Sequence, residues 1–371
     1  MSMKVLVDLT QIPIQKVGVG VYAQETFSVI NKNAEMFFLL QDDDNELYNK
    51  LFDKGRVILI KSKFFRVFIL RFLLEQIFIP LICYKYKIDV LHSLHYSFPL
   101  FIYKVKRVVT IHDLTFFIYP DVHTFIKRLY FEFFIKKACK YVDFLICVSE
   151  STKNDLNKYV KDISACVQVV PLSCSLKIDF SELEKESIKK KFNIKDKYIL
   201  FIGTLEPRKN ILNLIKAFHI FLSSNKEFTL VVIGKKGWFY ESIFKLVEEL
   251  NISDKVIFTG FVTTNEKYAI LSDAYVFIYP SIYEGFGLPV LESINYEIPT
   301  ITSNLSSLPE VAGNAAFYIN PHVTEDIKNA LELVCRDMDL RNRLIINSRL
   351  QKNKFSWNKT AISTYSIYDK L

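Results

Sequence analysis

Short apolar runs alternate with longer amphipathic runs along the whole chain. Several short runs are apolar at consecutive positions, which is typical of strands buried on both faces of a sheet. Segments with helical periodicity lie between them, for example 122–141 and 150–160. The runs predicted as strands are 4–10, 35–41, 56–60, 89–93, 107–113, 144–149 and 167–172, and then 197–204, 229–235, 255–261, 274–281, 299–304 and 315–320.

The alternation of strands and helices occurs in two blocks. Strand–helix alternation is typical of a parallel sheet with helices on both faces. We therefore predict an α/β fold with two doubly wound parallel sheets, joined near 171–182, where a strand ends and a polar, acidic helix start follows. Ligands of such sheets bind at the carboxyl ends of strands, next to helix N-termini. The segments that follow each strand are therefore the places to look for a site.

Length and charge narrow the picture further. The chain has 371 residues, half of them apolar, which is enough for two α/β domains with cores of their own. The formal net charge is +8, and segment 54–107 alone contains eleven Lys and Arg residues against two acidic residues. This segment is either a solvated basic face or a surface that meets anionic lipid or another polyanion. We expect most of the phenylalanines of 64–78 in the core, with an exposed remainder that suits an anionic inner leaflet; they are Phe64, Phe65, Phe68, Phe72 and Phe78. We expect no nucleic-acid partner.

Cysteines and apolar stretches bear on the cellular location. The six cysteines form no C-x-x-C pair, so we expect buried thiols of a reducing cytosol. Asp8 interrupts the first apolar run too early for the core of a signal peptide. The most apolar stretch, 64–87, is interrupted by charges and falls short of the ~18 apolar residues that a membrane span needs. We predict a cytoplasmic protein that is at most peripheral at the inner face of the cell membrane.

The first strand is followed by a glycine pattern. Gly18-x-Gly20-x-x-Ala23 matches a dinucleotide-binding fingerprint, and Asp42 follows at the end of the next strand, where a ribose-binding acid would lie. An NAD-dependent oxidoreductase is therefore one interpretation. In that fingerprint the first glycine turns directly off the strand, whereas segment 11–17 intervenes here. Backbone amides that approach a ligand are the other interpretation.

Two further strand ends carry polar groups. His112 and Asp113 end an apolar strand, where they would converge on a cleft rather than a core. In the second block a strand ends at Gly203, and a short loop then carries Arg208 and Lys209 before a helix that we predict to be capped by Asn210. Two cations beside free helix amides form a polyphosphate site in chemical terms.

The next strand ends in a run of glycine and lysine, "GKKG" at 234–237. This run either lines the same cleft or only turns the chain.

The stretch "SIYEGFGLPVLESI", residues 281–294, has two acids around a loop-to-helix junction. Pro289 suits the first turn of a helix, which puts Gly285 and Gly287 in the preceding loop. Glu284 is then in the loop and Glu292 on the helix. A pair of catalytic acids would have to flank one bond. The local spacing instead favours contacts to different parts of one elongated ligand, with sugar and ribose hydroxyls as carboxylate partners.

These motifs together resemble a known family. "SIYEGFGLPVLE" has the E-x7-E pattern of retaining GT-B glycosyltransferases. With "GTLEPRKN", "GVGVY", "TIHDL" and "SNLSSLPEVAGNAA" the chain resembles glycosyltransferase family 4, especially bacterial mannosyltransferase-like enzymes of polysaccharide and O-antigen assembly. The motifs occur in the family's order over essentially the whole chain.

The resemblance implies a GT-B fold, with two Rossmann-like domains that face a cleft. It implies an acceptor-side domain at 1–175, a nucleotide-sugar donor domain at 176–354, and a C-terminal helix, 355–371, that packs back on the first domain. The implied reaction moves a hexose, with mannose as first choice, from a nucleoside-diphosphate sugar to a glycan or lipid-linked acceptor, without a cofactor or metal. The alternatives are the oxidoreductase and a non-catalytic sugar-nucleotide-binding or membrane-surface protein.

The resemblance also implies roles for individual residues. Arg208 and Lys209 resemble the pair that binds the donor diphosphate, and Glu292 resembles the ribose acceptor. Glu284 and His112 are the catalytic candidates, because they resemble the residues that contact the transferred sugar. The remaining donor-binding candidates are Gly18, Gly20, Gly203, Gly285, Phe286, Gly287 and Leu288.

Overall fold

The computed structural model describes residues 2–12, 18–31, 33–61, 68–175 and 177–371, with the side chains of residues 68 and 69 left undescribed. The chain forms two compact units. Unit 1 contains Met1–Ser173 and Ser356–Leu371, and unit 2 contains Cys174–Phe355.

Unit 1 is built around a seven-stranded parallel sheet with the order β3-β2-β1-β4-β5-β6-β7. Its strands are β1 (Met3–Asp8), β2 (Ala34–Gln41), β3 (Arg56–Ile60), β4 (Val90–Ser93), β5 (Lys106–Ile111), β6 (Phe144–Cys147) and β7 (Cys166–Val169). The helices between the strands are α1 (Val19–Ser28), α2 (Asn45–Leu51), α3 (Phe68–Leu73), a π-helical turn (Leu74–Phe78), α4 (Ile79–Tyr86), α5 (Thr115–Ile118), a 3₁₀ turn (Pro120–Val122), α6 (Phe125–Tyr141) and α7 (Glu150–Tyr159).

Unit 2 contains a six-stranded parallel sheet with the order β10-β9-β8-β11-β12-β13. Its strands are β8 (Tyr198–Ile202), β9 (Thr229–Ile233), β10 (Val256–Gly260), β11 (Val276–Tyr279), β12 (Thr300–Ser303) and β13 (Ala316–Ile319). Its helices are α8 (Glu182–Lys191), a 3₁₀ turn (Pro207–Lys209), α9 (Ile211–Leu222), α10 (Glu241–Glu249), α11 (Thr264–Ser272), α12 (Leu288–Asn295), α13 (Leu308–Ala312), a 3₁₀ turn (Gly313–Ala315), α14 (Thr324–Arg336) and α15 (Met338–Lys352).

The two predicted doubly wound parallel sheets are confirmed, and each predicted strand corresponds to an observed one. The central strands β1, β8 and β11 are apolar at consecutive positions because helices cover both faces of each sheet. In both sheets the order reverses direction beside the first strand, between β1 and β4 in unit 1 and between β8 and β11 in unit 2. Loops diverge at such a switch point and leave a crevice for a ligand.

The last helix, α16 (Trp357–Tyr368), belongs to unit 1. The Tyr368 hydroxyl lies 2.6 Å from Nδ1 of His92 on β4. Tyr365 donates to the Val29 carbonyl at 2.6 Å, and Thr360 donates to the Pro171 carbonyl at 2.7 Å. These buried hydrogen bonds tie the helix to the first residues after α1 and to the end of the unit 1 chain.

Three expectations from the sequence need correction or restriction. Cys166 is exposed, not buried, because it begins the edge strand β7. Phe72 and Phe78, which we expected mostly in the core, are exposed because this helical run buries a narrow stripe that includes Leu74, Ile79 and Cys83. The neighbouring predictions for 62–67 lie outside the described residues. Within the described part of the chain, no helix is long and apolar enough to cross a membrane.

Candidate functional site

The loops that follow β8 and β11 lie side by side at the switch point of unit 2. β8 and β11 are neighbours in the sheet, so their carboxyl ends bring segments 203–210 and 280–287 together. The Ile282 amide donates to the Arg208 carbonyl at 2.8 Å, and Ser281 Oγ lies 3.0 Å from the same carbonyl oxygen. Residues more than 70 positions apart in sequence therefore form one polar cluster.

Glu284 lies at the centre of this cluster and is only 7% exposed. Its Oε1 accepts from the Lys209 ammonium at 2.5 Å, the Tyr279 hydroxyl at 2.9 Å and the Ser281 hydroxyl at 2.6 Å. Its Oε2 accepts from Nη1 of Arg208 at 3.0 Å. The structure thus places Glu284, Arg208 and Lys209 in one cluster, although the sequence assigned them to different parts of a ligand.

The charges of the cluster are balanced within the protein. Burial by itself would raise the pKa of Glu284, but Lys209 and Arg208 outweigh burial and hold the pKa at about 2. The buried carboxylate of Glu206 pairs with Nε of Arg208 at 2.5 Å. The positive charges of Arg208 and Lys209 are therefore matched by the negative charges of Glu206 and Glu284. The two cations of the 203–210 loop alone did not predict this balance.

The loop that carries Glu284 is fixed by serine hydroxyls. The Glu284 amide donates to the Ser306 hydroxyl at 3.0 Å, and Ser307 Oγ lies 2.9 Å and 2.7 Å from the carbonyl oxygens of Glu284 and Phe286. Gly287 ends the loop with φ +105°, and a Cβ there would lie 2.6 Å from Leu308. This position accepts only glycine without strain. The buried Gly285 and Phe286 precede it.

Helix α12 begins directly after Gly287, with Leu288 and Pro289 in its first turn. Pro289 has no N–H, and the amides of Val290 and Leu291 donate to the Gly287 carbonyl at 3.0 Å and 3.3 Å, so the Leu288 amide is the one that the helix leaves to a ligand or a neighbouring loop. Glu292 follows on this helix, as predicted. Its Oε1 accepts from the Lys267 ammonium at 2.7 Å and the Tyr268 hydroxyl at 3.0 Å, both from α11. The two acids thus have separate cationic partners.

Gly203 follows β8 at a tight backbone contact. A Cβ on Gly234 would meet the Gly203 carbonyl oxygen at 1.9 Å, so the loops after β8 and β9 pack backbone against backbone. The Lys236 ammonium lies 4.9 Å and 5.2 Å from the ring centres of Tyr240 and Phe244. The run 234–237 therefore turns the chain and supports the 203–210 loop, and Lys236 lies against aromatic rings instead of Glu284.

Asn210 immediately precedes α9, but its side chain does not cap the helix, contrary to the prediction. Its backbone adopts φ +60°, and its side-chain amide donates to the Pro321 carbonyl at 2.6 Å. An N-cap side chain accepts from the helix amides and needs an extended backbone, which a left-handed residue does not provide. The start of α9 therefore keeps its amides for other partners.

The unit 1 candidates follow β1 and β5. Gly18 precedes α1 with φ +52°, and Gly20 lies inside the first turn of that helix instead of the loop before it. His112 follows β5, and its Nε2 donates to the Leu94 carbonyl at 3.0 Å. Loss of solvent around the ring lowers the pKa of His112 to about 4, so the imidazole is neutral at pH 7.

The structure adds site residues that the sequence analysis did not single out. Glu206, Tyr279 and Ser281 contact the same charged groups as Glu284, and Ser306 and Ser307 hold its loop. One signal was present for Glu206, because it stands two and three positions before the two cations. The serines of segment 302–307 come close to Glu284 only when β12 packs beside β11.

Comparison with known proteins agrees with this geometry. The model of "Glycosyltransferase Family 4" matches residues 18–173, and that of "Glycosyl transferases group 1" matches residues 184–351. An O-antigen chain mannosyltransferase B of Escherichia coli is 28% identical over 290 residues, which is 77% of this chain and 75% of the relative. The serotype-specific mannosyltransferase WbdA of Escherichia coli is 33% identical over 240 residues, 62% of this chain but only 29% of its own length.

The fold has close counterparts among solved structures. The Anabaena protein Alr3699/HepE, solved in complex with UDP and glucose, superposes with a TM-score of 0.80 over 100% of both chains at 13% identity. This likeness concerns the fold, which is the GT-B arrangement of two Rossmann-like domains. Ten residues separate Asp8, the last residue of β1, from Val19, the first residue of α1, whereas a dinucleotide-binding fingerprint turns directly off the strand. The matching family models do not favour the oxidoreductase either. The chain belongs to the glycosyltransferases, with a family 4 domain followed by a group 1 domain.

Proposed function

We propose that this glycosyltransferase moves a hexose, mannose as first choice, from a nucleoside-diphosphate sugar to a glycan or lipid-linked acceptor in bacterial surface polysaccharide synthesis, with retention of configuration. The observation that carries the proposal is the Glu284 carboxylate held by Lys209 and Arg208 at the switch point of unit 2. The names of the two mannosyltransferase relatives support the choice of mannose and of a polysaccharide product.

The donor diphosphate is assigned to Arg208 and Lys209. Both cations lie at a strand end beside the uncapped start of α9, where backbone amides favour an anion. An ammonium has three N–H donors, and the Lys209 ammonium gives one to Glu284 and one to Tyr279. We infer that the third N–H of Lys209 and the first amides of α9, with Arg208 beside them, hold the diphosphate, which then needs no metal ion or other cofactor.

The transferred sugar is assigned to Glu284 with Gly285, Phe286, Gly287 and Leu288, whose backbone is positioned by the serines of 306–307. The nucleotide ribose is assigned to Glu292. Both described hydrogen bonds of Glu292 go to its Oε1 atom, which leaves Oε2 to accept hydrogen bonds from ribose hydroxyl groups. Gly203 completes the donor-binding set by its position at the end of β8. The separate partners of the two acids support separate roles.

Gly18, Gly20 and His112 are assigned to the donor from unit 1. The first amides of α1 suit a phosphate oxygen, and neutral His112 suits a sugar hydroxyl. In the reaction the leaving nucleoside diphosphate gains negative charge, which the cations and amides stabilise. The acceptor hydroxyl attacks the sugar from the same face from which the leaving group departs. The leaving phosphate takes the proton of that hydroxyl, so no protein base is assigned.

The experiment that tests this function is a product assay against a panel of nucleotide sugars, run both with and without EDTA. We expect transfer of mannose from GDP-mannose to a mannose-terminated oligosaccharide, with the rate unchanged by the chelator. Transfer from a UDP-hexose instead would change the assigned donor. Activity that vanishes in EDTA and returns with Mn²⁺ or Mg²⁺ would show that the protein cations do not suffice.

We also propose that unit 1 docks on an anionic membrane surface. Phe125, Ile126, Leu129 and Phe133 are exposed along one side of α6, with Phe125 at 70%. Leu73, Ile77, Leu81 and Tyr84 are exposed along the helical run before β4. The Tyr130 hydroxyl of α6 donates to Glu75 of that run at 3.2 Å, so the two helical segments touch. Lys136, Lys137 and Lys140 on α6 add positive charge that suits anionic lipid headgroups.

Liposome sedimentation tests the membrane proposal. Binding should rise with the fraction of anionic lipid and fall with salt, since each cation near the surface contributes about 1 kcal/mol. The double substitution Leu129→Ser, Phe133→Ser should weaken binding about tenfold or more, because two large apolar side chains no longer enter the interface. Leu183→Ser, which removes an exposed leucine of unit 2, is the matched control and should bind as the wild type does. Equal pelleting with neutral and anionic vesicles would contradict the electrostatic part.

A further inference from the structure

The switch point of the unit 1 sheet, between β1 and β4, carries a polar cluster of its own. The cluster consists of Gln11 after β1, His95 and Ser97 after β4, and Arg71 and Glu75 from the helical run before β4; we call it the switch-point cluster. It occupies the position in the unit 1 sheet that the candidate site occupies in the unit 2 sheet.

Glu75 organises the cluster. Its side chain is fully buried in the π-helical turn, a feature that often marks functional positions in helices. Oε1 accepts from the side-chain amide of Gln11 at 2.5 Å, the Ser97 hydroxyl at 2.9 Å and Nε of Arg71 at 3.2 Å. Oε2 accepts from the Tyr130 hydroxyl at 3.2 Å. Burial raises the pKa of Glu75 against the opposing effect of Arg71, and these hydrogen bonds fix the carboxyl group and hold Arg71 in place.

Two buried nitrogen atoms of the cluster have no hydrogen-bond partner among the residues that the structure describes. They are Nη2 of Arg71 and Nδ1 of His95. Buried polar atoms are nearly always paired in native proteins, and an unpaired one destabilises the fold. Nε2 of His112 donates to the carbonyl of Leu94, the residue before His95, and burial followed by the charge of Arg71 lowers the pKa of the His95 ring. These two nitrogen atoms thus lack partners that a polar ligand can supply.

The donors and acceptors of the cluster indicate which ligand that is. Nε of Arg71 pairs with Glu75 at 3.2 Å, and Nη2 is left as a donor among the described residues. Burial and the nearby Arg71 lower the pKa of His95 to about 3, so that ring is neutral at pH 7. His112 beside it is neutral as well. Nη2 of Arg71 can only donate a hydrogen bond, whereas Nδ1 of the neutral His95 ring donates or accepts one according to its tautomer, and hydroxyl groups of a sugar ring satisfy both atoms.

We propose that the switch-point cluster binds a neutral sugar ring of the acceptor, with Nη2 of Arg71 and Nδ1 of His95 hydrogen-bonded to its hydroxyl groups. Glu75 is a positioning residue that acts through Arg71. The inference rests on the glycosyltransferase function proposed above, and it names the residues that select the acceptor.

His95→Phe tests the proposal with little risk to the fold. The ring packs edge-on against Tyr96 and Phe131 at centroid distances of 4.7 Å and 5.0 Å, and phenylalanine keeps these contacts while it removes both ring nitrogens. We expect KM for a mannose-terminated oligosaccharide to rise about tenfold, the scale of one lost hydrogen bond. The KM for the donor and the rate of donor hydrolysis in the absence of acceptor should stay as in the wild type.

Arg71→Gln is the second variant, and Arg128→Gln is its matched control. Both arginines pair with a glutamate four positions later in unit 1, but the side chains of Arg128 and Glu132 are 40% and 15% exposed, against 20% and 0% for Arg71 and Glu75. Arg71→Gln should raise the KM for the oligosaccharide about tenfold, and Arg128→Gln should leave it unchanged. An unchanged KM for the oligosaccharide in His95→Phe would overturn the proposal.

Ligand-observed NMR with the full chain tests the sugar site independently of the proposed glycosyltransferase function. Wild-type protein should broaden the signals of methyl α-mannoside, and His95→Phe should not. Equal broadening by both proteins, or displacement of the sugar by inorganic phosphate, would overturn the sugar assignment. A wild type that turns over no nucleotide sugar but passes this binding test would contradict the proposed reaction and leave the sugar site standing.

Discussion

Glu284→Gln is expected to lower the turnover of sugar transfer by about 10²-fold or more, the scale of one preorganised electrostatic group in an active site. Glutamine keeps the shape and one acceptor oxygen but removes the charge that faces Lys209 and Arg208. Contacts that strengthen only in the transition state act on turnover more than on binding. Binding of the bare nucleoside diphosphate should stay within about threefold of the wild type, because both cations remain to meet the phosphates.

Two companion variants make this result specific. Glu292→Gln should weaken binding of the nucleoside diphosphate by about 1–2 kcal/mol, because it removes the charge from the proposed ribose acceptor. Glu297→Gln is the matched control, since Glu297 also pairs with two cations of unit 2, Arg349 and Lys352, both at 2.8 Å. We expect Glu297→Gln to keep the wild-type turnover even if its melting temperature is lower.

Calorimetry with the nucleoside diphosphate and initial-rate kinetics decide between the roles. If Glu284→Gln weakens binding of the nucleoside diphosphate as much as Glu292→Gln does, both acids serve the nucleotide. A fall in turnover of equal size in Glu297→Gln would instead point to a general loss of structure in unit 2.

Arg208→Ala is expected to reduce donor affinity or turnover by one to two decades. A charge-assisted hydrogen bond to phosphate contributes about 1.5–3 kcal/mol, and the guanidinium also holds Glu206 and Glu284. The measurements are initial rates against donor concentration and the melting temperature, since two buried carboxylates lose a partner.

The control for Arg208→Ala is Lys236→Ala. It removes one positive charge from the neighbouring loop of the same unit, but the Lys236 ammonium lies against Tyr240 and Phe244. Kinetics should be unchanged in this variant. Unchanged kinetics in Arg208→Ala as well would remove the diphosphate assignment.

Much of the fold could be predicted from the sequence because it depends on local periodicity. Consecutive apolar positions mark strands such as β1 and β8, which are covered on both faces, and the alternation with amphipathic segments predicts parallel sheets. The glycine and proline positions around 285–289 predicted the loop and the start of α12 for the same reason, since Gly287 needs a positive φ and Pro289 suits a first turn.

Other features could not be predicted because they depend on side-chain environments that local patterns do not encode. The cap assigned to Asn210 failed since its side chain finds the Pro321 carbonyl, 111 positions away in sequence. Phe72 and Phe78 were expected in the core, yet the narrow buried stripe of their helical run leaves them outside. Residue type alone does not say which side of a helix will be covered.

The sequence by itself determined which residue types follow each strand, since the strand pattern and the loop composition are both local. It thereby identified Arg208, Lys209 and Glu284 as candidates. Only the tertiary structure decided that the two cations hold Glu284, because the pairing of β8 with β11 brings positions about 75 apart into contact. The switch-point cluster has the same origin. Its members come from the segments after β1 and β4 and from the helical run before β4, and only the sheet order makes them neighbours.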